Sequence, residues 1–245
     1  MEKQQFYSSI ADVYEYIFPV KEQQVTFIKS HFEIDQEFSF LDVGCATGQL
    51  ASRLGQFGAH GVGVDLDQRM VQRANREYRG VNLLFKEMNM MKLRENFPLN
   101  YFDAIICFGN TLVHLESLSQ IHNFLSQCFQ LLPATGLLFL QILNYKHILA
   151  QKIESLPLIE NDFIRFERAY KLPGPKLPKI TFNTKLTVKA DGRITENSAS
   201  LMPLKKDELE WILRQVGFST LEFYSSFDRA PYAETQLPLV VVARK

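Results

Sequence analysis

The first stretch with chemical promise is Asp42-Val43-Gly44-Cys45-Ala46-Thr47-Gly48, where an acid and two glycines frame a tight turn. Phe40, Leu41 and Val43 lead into it as a β-prone run, and a helix-like pattern follows from Gln49. A strand, a glycine turn and a helix N-terminus expose backbone N–H groups and let a ligand lie against the chain. Such glycines also serve simply to pack helix on strand. The spacing restricts the ligand. A P-loop ends in Gly-Lys-Ser/Thr, whereas Gly48 is followed by Gln49 and Leu50. A dinucleotide turn reads Gly-x-Gly-x-x-Gly, whereas only Gly44 and Gly48 flank Ala46 here. The three cysteines (Cys45, Cys107, Cys128) and five histidines show no metal-ligand spacing. They point to a reducing, cytoplasmic setting with no structural metal.

The elements that must hold this turn alternate between strand and helix. "FSFLDV" reads as a buried strand, and "GQLASRLGQF" as a helix with Leu50, Leu54 and Phe57 on one face. "GVGVD", "VNLLF", "FDAIICF" and "TGLLFLQIL" are further strands, separated by the helices "QRMVQRANREY" and "SLSQIHNFLSQCFQLL". This order predicts an α/β fold with a doubly wound parallel sheet. Residues from about 6 to 32 read as helical, with Pro19 opening a second helix. After about residue 150 the pattern becomes three antiparallel strands, with Asp191-Gly192 as a hairpin turn and the Pro-rich "LPGPKLP" as a joint. A helix ending at Gly217 and two strands that pair at the sheet edge close the chain.

The bulk composition fits one globular domain, with 245 residues, 46% hydrophobic. Lys+Arg and Asp+Glu balance at 27 each, so no net field draws in nucleic acid or an anionic membrane. Arg69, Arg73, Arg76 and Arg79 read as a solvated helix face. "MEKQQFYSSI" has no apolar signal core, and runs such as "GLLFLQIL" are strand-length. The expected partner is a small molecule, with no nucleic acid and no membrane, in a monomer or homodimer.

"LDVGCATGQL" resembles motif I of the class I S-adenosylmethionine-dependent methyltransferases, whose usual form is hydrophobic, acid, x, Gly, x, Gly, x, Gly. Ala46 stands at the middle glycine, where a methyl is acceptable at negative φ. The resemblance implies a Rossmann-like, seven-stranded, mostly parallel sheet that binds S-adenosylmethionine and yields S-adenosylhomocysteine. It implies cofactor contacts from Asp42, Gly44, Cys45, Ala46 and Gly48. Asp65, ending the second strand, would accept from the ribose hydroxyls, with Leu66 and Met70 beside the adenine. In "KEMNMMKL", Asn89 takes the place of the family's usual acid toward the adenine amino group, followed by Met90. Cys107 and Phe108 lie at the carboxyl end of the fourth strand, where ligands bind in open α/β sheets.

"GNTLVHL" is similar to the Gly-Asn-Ser-x-x-His-Leu stretch of small-molecule methyltransferases, including those acting on glycine and related amines. His114 is then the candidate to hold or deprotonate the acceptor, and Asn110 to orient a polar end. Phe6, Tyr7, Tyr14 and Phe18 read as core aromatics, while similar family segments form a lid, which makes Tyr7 and Tyr14 candidate substrate contacts. The chain divides into a helical lid (1–37), a cofactor-binding core (38–150), a β insertion (155–203) and a C-terminal helix with a strand pair (204–245). A nucleic-acid amino-methyltransferase is disfavoured, because "FGNT" replaces the Asp/Asn-Pro-Pro-aromatic turn. A non-catalytic S-adenosylmethionine-binding module and a dinucleotide-dependent oxidoreductase are the competing readings.

Overall fold

The structure, a computed structural model, describes residues 7–174 and 178–245. Phe6 and the middle of the "LPGPKLP" joint lie outside the described residues. In chain order the helices are α1 (Tyr14–Ile17), α2 (Glu22–Lys29), α3 (Gln49–Gly55), α4 (Gln68–Tyr78), α5 (Leu93–Asn96), α6 (Leu118–Leu131), α7 (Tyr145–Ala150) and α8 (Lys206–Val216). The strands are β1 (Ser39–Val43), β2 (His60–Asp65), β3 (Leu83–Glu87), β4 (Ala104–Cys107), β5 (Leu137–Leu143), β6 (Ile159–Glu160), β7 (Ile164–Lys171), β8 (Ile180–Val188), β9 (Ile194–Leu201), β10 (Thr220–Tyr224) and β11 (Pro238–Arg244).

Seven strands form one sheet in the order β10-β11-β5-β4-β1-β2-β3, parallel from β5 to β3 with β10 and β11 antiparallel at the edge. Period-two alternation sends its side chains into two cores. Leu41, Val43, Ile105, Cys107, Leu138 and Leu140 enter one, whereas Phe40, Ala104, Ile106, Leu137 and Phe139 enter the other. Helices cover both faces. The strand order reverses at β1, between β4 and β2, so the carboxyl ends of these three strands border one crevice.

The β insertion is a four-stranded antiparallel sheet, β6-β7-β8-β9. Part of its apolar face (Ile164, Phe166, Leu186, Val188) packs on Ile10, Val13 and Ile17 of the N-terminal segment. The other part (Tyr170, Ile180, Leu201) joins the main core, and the Met202 N–H donates to the Val113 carbonyl at 2.8 Å. The insertion therefore clamps the N-terminal segment over the crevice.

Several local expectations need correction. Pro19 opens no helix, since α2 begins at Glu22 behind the N-cap Lys21. Phe57 lies beyond the end of α3 and is exposed, with the Lys29 ammonium 3.7 Å from its ring centre. Arg73 is not a solvated face residue. It donates to the Ala11 carbonyl at 2.6 Å and pairs with Glu15 and Glu77. β6 and α7 are additions to the expected elements, since a two-residue strand and a six-residue helix carry almost no periodic signal. No helix among the described residues is long and apolar enough to cross a membrane.

Candidate active site

The turn after β1 is held by its neighbours. The Gly44 and Cys45 N–H groups both donate to the Val64 carbonyl of β2, at 2.8 and 3.1 Å. Gly44, Ala46 and Gly48 have φ of 75°, 47° and 83°. The expectation of negative φ at Ala46 is thus overturned. A left-handed alanine costs about 1–2 kcal/mol. The Ala46 N–H donates to Asp65 Oδ2 at 2.9 Å, which helps hold it there. The glycines also clear protein neighbours. A Cβ on Gly44 would lie 2.6 Å from Thr111, and one on Gly48 would lie 2.7 Å from Phe85. Packing and the positive φ alone therefore disfavour a side chain at either position. Thr47 in the same turn is fully buried, and its hydroxyl has no hydrogen-bond partner.

Asp42 and Asp65 stand on adjacent strands beneath this turn. The Asp65 carboxylate accepts backbone N–H groups from Ala46 and Asp67, both at 2.9 Å, and from Leu66. A carboxylate has about four acceptor sites, which leaves room for a hydroxyl donor. Burial raises the Asp65 carboxyl to about 6 against the pull of those N–H groups. Burial, and then the charge of Asp65, raise Asp42 to about 7. Neither has an ion-pair partner among the described residues. Asp42 is buried and Asp65 half-buried, and a pair of acids without a counter-charge is chemically suited to hydroxyl donors and to a positive centre.

The other residues picked out along the chain divide by exposure. Leu66 is exposed, whereas Met70 is buried with Ile10 and Ala46. Asn89 is exposed, and its carbonyl already accepts from the Met91 N–H at 2.9 Å, capping a turn that includes half-buried Met90. The Cys107 side chain is fully buried in the main core, so only its backbone borders the crevice. Phe108 is buried against Phe227, with ring centres 4.8 Å apart. Burial pushes the thiols of Cys45 and Cys107 up.

Over the crevice, the Tyr7 hydroxyl lies 3.1 Å from His114 Nε2, with the two rings edge to face. Burial, and then Asp65, push the Tyr7 phenol up, so it stays neutral. Burial raises the Tyr14 phenol too, followed by the charges of Tyr7, Asp65, Asp42 and Cys45, which place it over the same acids. Asn110 is turned inward. Its amide donates to Tyr145 Oη at 2.9 Å and its carbonyl accepts from the Leu143 N–H at 3.0 Å, so both ends are engaged within the protein. Among the described residues no cluster of metal-binding side chains occurs.

Comparison with known proteins decides the family. A methyltransferase-domain profile matches residues 40–136. A relative from Geobacillus sp. (strain WCH70) that bears the name of a methyltransferase is 32% identical over 214 residues, covering 84% of this chain and 83% of the relative. The chain belongs to the class I S-adenosylmethionine-dependent methyltransferases. It is an enzyme that uses S-adenosylmethionine to methylate a small molecule. The methyltransferase is also similar to a glycine/sarcosine/dimethylglycine N-methyltransferase of Actinopolyspora halophila, 27% identical over 201 residues, covering 80% of this chain and 34% of that enzyme. The chain thus spans about a third of that relative's length. Its fold is like that of the CcbJ methyltransferase of Streptomyces caelestis, with TM-score 0.79, 20% identity and coverage of 96% and 95% of the two chains.

Four further residues, not expected from the sequence, support the candidate residues of the methyltransferase. Ser8 donates to Asp67 at 2.5 Å, and Asp67 caps α4 by accepting from the Arg69 and Met70 N–H groups. The Asp-x-x-Met spacing after Asp65 was a legible cap signal, but its bond to Ser8 was not. Thr111, against Gly44, and Tyr145, against Asn110, meet their partners only through the fold.

Proposed function

We propose that the methyltransferase methylates an amine nitrogen of a small acceptor, with His114 and Tyr7 on the acceptor side. The turn from Asp42 to Gly48, with Asp65, Leu66 and Met90, would hold the cofactor. Residues 1–37 would cover it as a lid, residues 38–150 would cradle it, and the β insertion would close the acceptor side. Asp65 would accept from the ribose hydroxyls, charge-assisted bonds worth roughly 1.5–3 kcal/mol each. The bound S-adenosylmethionine supplies a methyl already activated on a sulfonium. The chain's own task is then to align the acceptor, exclude water and take up a proton.

The observation that carries this reading is the Tyr7–His114 pair at 3.1 Å, with Tyr7 close enough to Asp65 to feel its charge and neither Asp42 nor Asp65 in an ion pair among the described residues. A neutral phenol can donate to the imidazole or accept from it, which fixes the ring for a proton arriving from an amine. The similarity to an N-methyltransferase acting on glycine and its methylated forms supports nitrogen as the attacking atom. The test is a screen for S-adenosylhomocysteine release across amines, acids, phenols and sugars, with the product located by mass spectrometry. An N-methyl product supports the reading. Turnover confined to hydroxyl acceptors refutes it.

A further inference from the structure

One cross-strand row of the insertion sheet breaks its apolar pattern. Arg168 of β7, Thr184 of β8 and Asn197 of β9 stand directly opposite one another in register. Alternation puts Arg168 on the same face as Phe166 and Tyr170. The guanidinium carbon of Arg168 lies 5.9 Å from the Phe166 ring centre, as expected of same-face neighbours. The row on one side, Phe166 and Leu186, packs on the N-terminal segment. The row on the other side, with Tyr170, packs on the main core. The polar row therefore lies over the seam between the two.

Its polar atoms are only partly used. Arg168 Nη2 donates to the Pro157 carbonyl at 2.7 Å, yet its Nε is buried without a hydrogen-bond partner. Among the described residues Arg168 has no carboxylate in an ion pair. Thr184 is 6% exposed, and its hydroxyl also lacks a partner. A half-buried guanidinium without a counter-ion is costly, and burial pulls its pKa down accordingly. The face that carries the row leads toward the acceptor side. Tyr170, two residues beyond Arg168, shares the main core with Tyr145 and with Val113, the neighbour of His114, and the Tyr7 hydroxyl meets His114.

The site thus has opposite poles, with Asp42 and Asp65 beneath the glycine turn and Arg168 across the phenols. We infer that Arg168, with Thr184 beside it, is a subsite for an oxyanion, carboxylate or phosphate, carried by the methyl acceptor. A guanidinium fork matches the two oxygens of such a group, and a hydroxyl beside it supplies a further donor. This deepens the proposed acceptor class and rests on the placing of the acceptor beside His114.

The primary test does not depend on turnover. With S-adenosylhomocysteine bound, the melting temperature is measured against acetate, inorganic phosphate and chloride at constant ionic strength. The inference expects acetate or phosphate to raise it above chloride, and the better of the two identifies the anion. It expects Arg168→Gln to abolish the rise, Arg168→Lys to keep part of it, and Thr184→Val to reduce it. No rise over chloride, or an undiminished rise in a folded Arg168→Gln protein, overturns it. The second arm compares methylation of α-amino acids with their amides, and of O-phosphoethanolamine with ethanolamine. The anionic member should be preferred, and Arg168→Gln should raise its KM about 10–100-fold and bring the ratio toward one, with cofactor affinity retained. Neutral amines turned over as well as anionic ones would overturn the anion subsite while leaving the amine reading standing. Failure of every amine, with the anion response intact, would overturn the amine reading alone.

Discussion

Cofactor affinity should depend on pH through Asp65. The apo carboxyl is raised to about 6 by burial, whereas an unfolded aspartate titrates near ~3.9. The folded apo protein therefore binds this proton more tightly than the unfolded chain. Ionising Asp65 costs stability as pH rises from about 4 to 6, and that cost is complete above about 6. Binding has the opposite sign, because hydroxyl donors and a sulfonium both favour the carboxylate. At pH 5 only about a tenth of Asp65 is ionised, so affinity should be about tenfold lower than at pH 7, a difference of ~1.4 kcal/mol. Calorimetry from pH 5 to 7, in buffers of differing ionisation heat, reads both the affinity and the protons released. Asp65→Asn should weaken binding at pH 7 by roughly 1.5–3 kcal/mol and flatten the profile below pH 6. Asp42, still raised by burial but relieved of the Asp65 charge, would titrate lower in the variant and leave a smaller residual slope. A pH-independent affinity, or the same slope below pH 6 in wild type and variant, would refute the assignment of Asp65 to the cofactor.

The remaining predictions address the acceptor side, the turn and the N-terminal segment. His114→Ala should lower turnover roughly 10²–10⁴-fold if the imidazole takes the proton, with cofactor affinity held within about threefold. The loss of a limb from the pH–rate profile checks this, and an active variant moves the role to Tyr7 or Tyr14. Ala46→Gly should relieve the left-handed strain and raise stability by up to ~1 kcal/mol after the entropy of the added glycine is counted. A urea midpoint shifted downward would contradict that. Ser8→Ala should weaken cofactor binding several-fold and speed amide exchange across residues 7–17, leaving β1 and β4 protected. Unchanged exchange would show that the Ser8–Asp67 bond does not tie the segment down.

The chain's own pattern carries the nucleotide-binding half. Buried parallel strands are continuous apolar runs, and their helices carry an apolar stripe, so β1 to β5 and the helices α3, α4 and α6 stand out from local composition. α4 coincides with the helix expected from "QRMVQRANREY", whose Met70, Val71 and Ala74 form one apolar stripe. Asp42, Gly44, Gly48 and Asp65 were legible for the same reason, since a turn and a strand end keep fixed spacing along the chain. What the tertiary structure alone decided lies between segments distant in sequence. Tyr7 reaches His114, Ser8 reaches Asp67, and Arg73 changes from a surface residue into a tether on Ala11. Ala46 is left-handed because Asp65 and β2 outweigh its local preference. The row of Arg168, Thr184 and Asn197 exists only once β7, β8 and β9 pair in register. Spacing along a strand or helix is set by local geometry and is written in the residues, whereas partners across strands and across the lid are set by which faces can bury apolar area together.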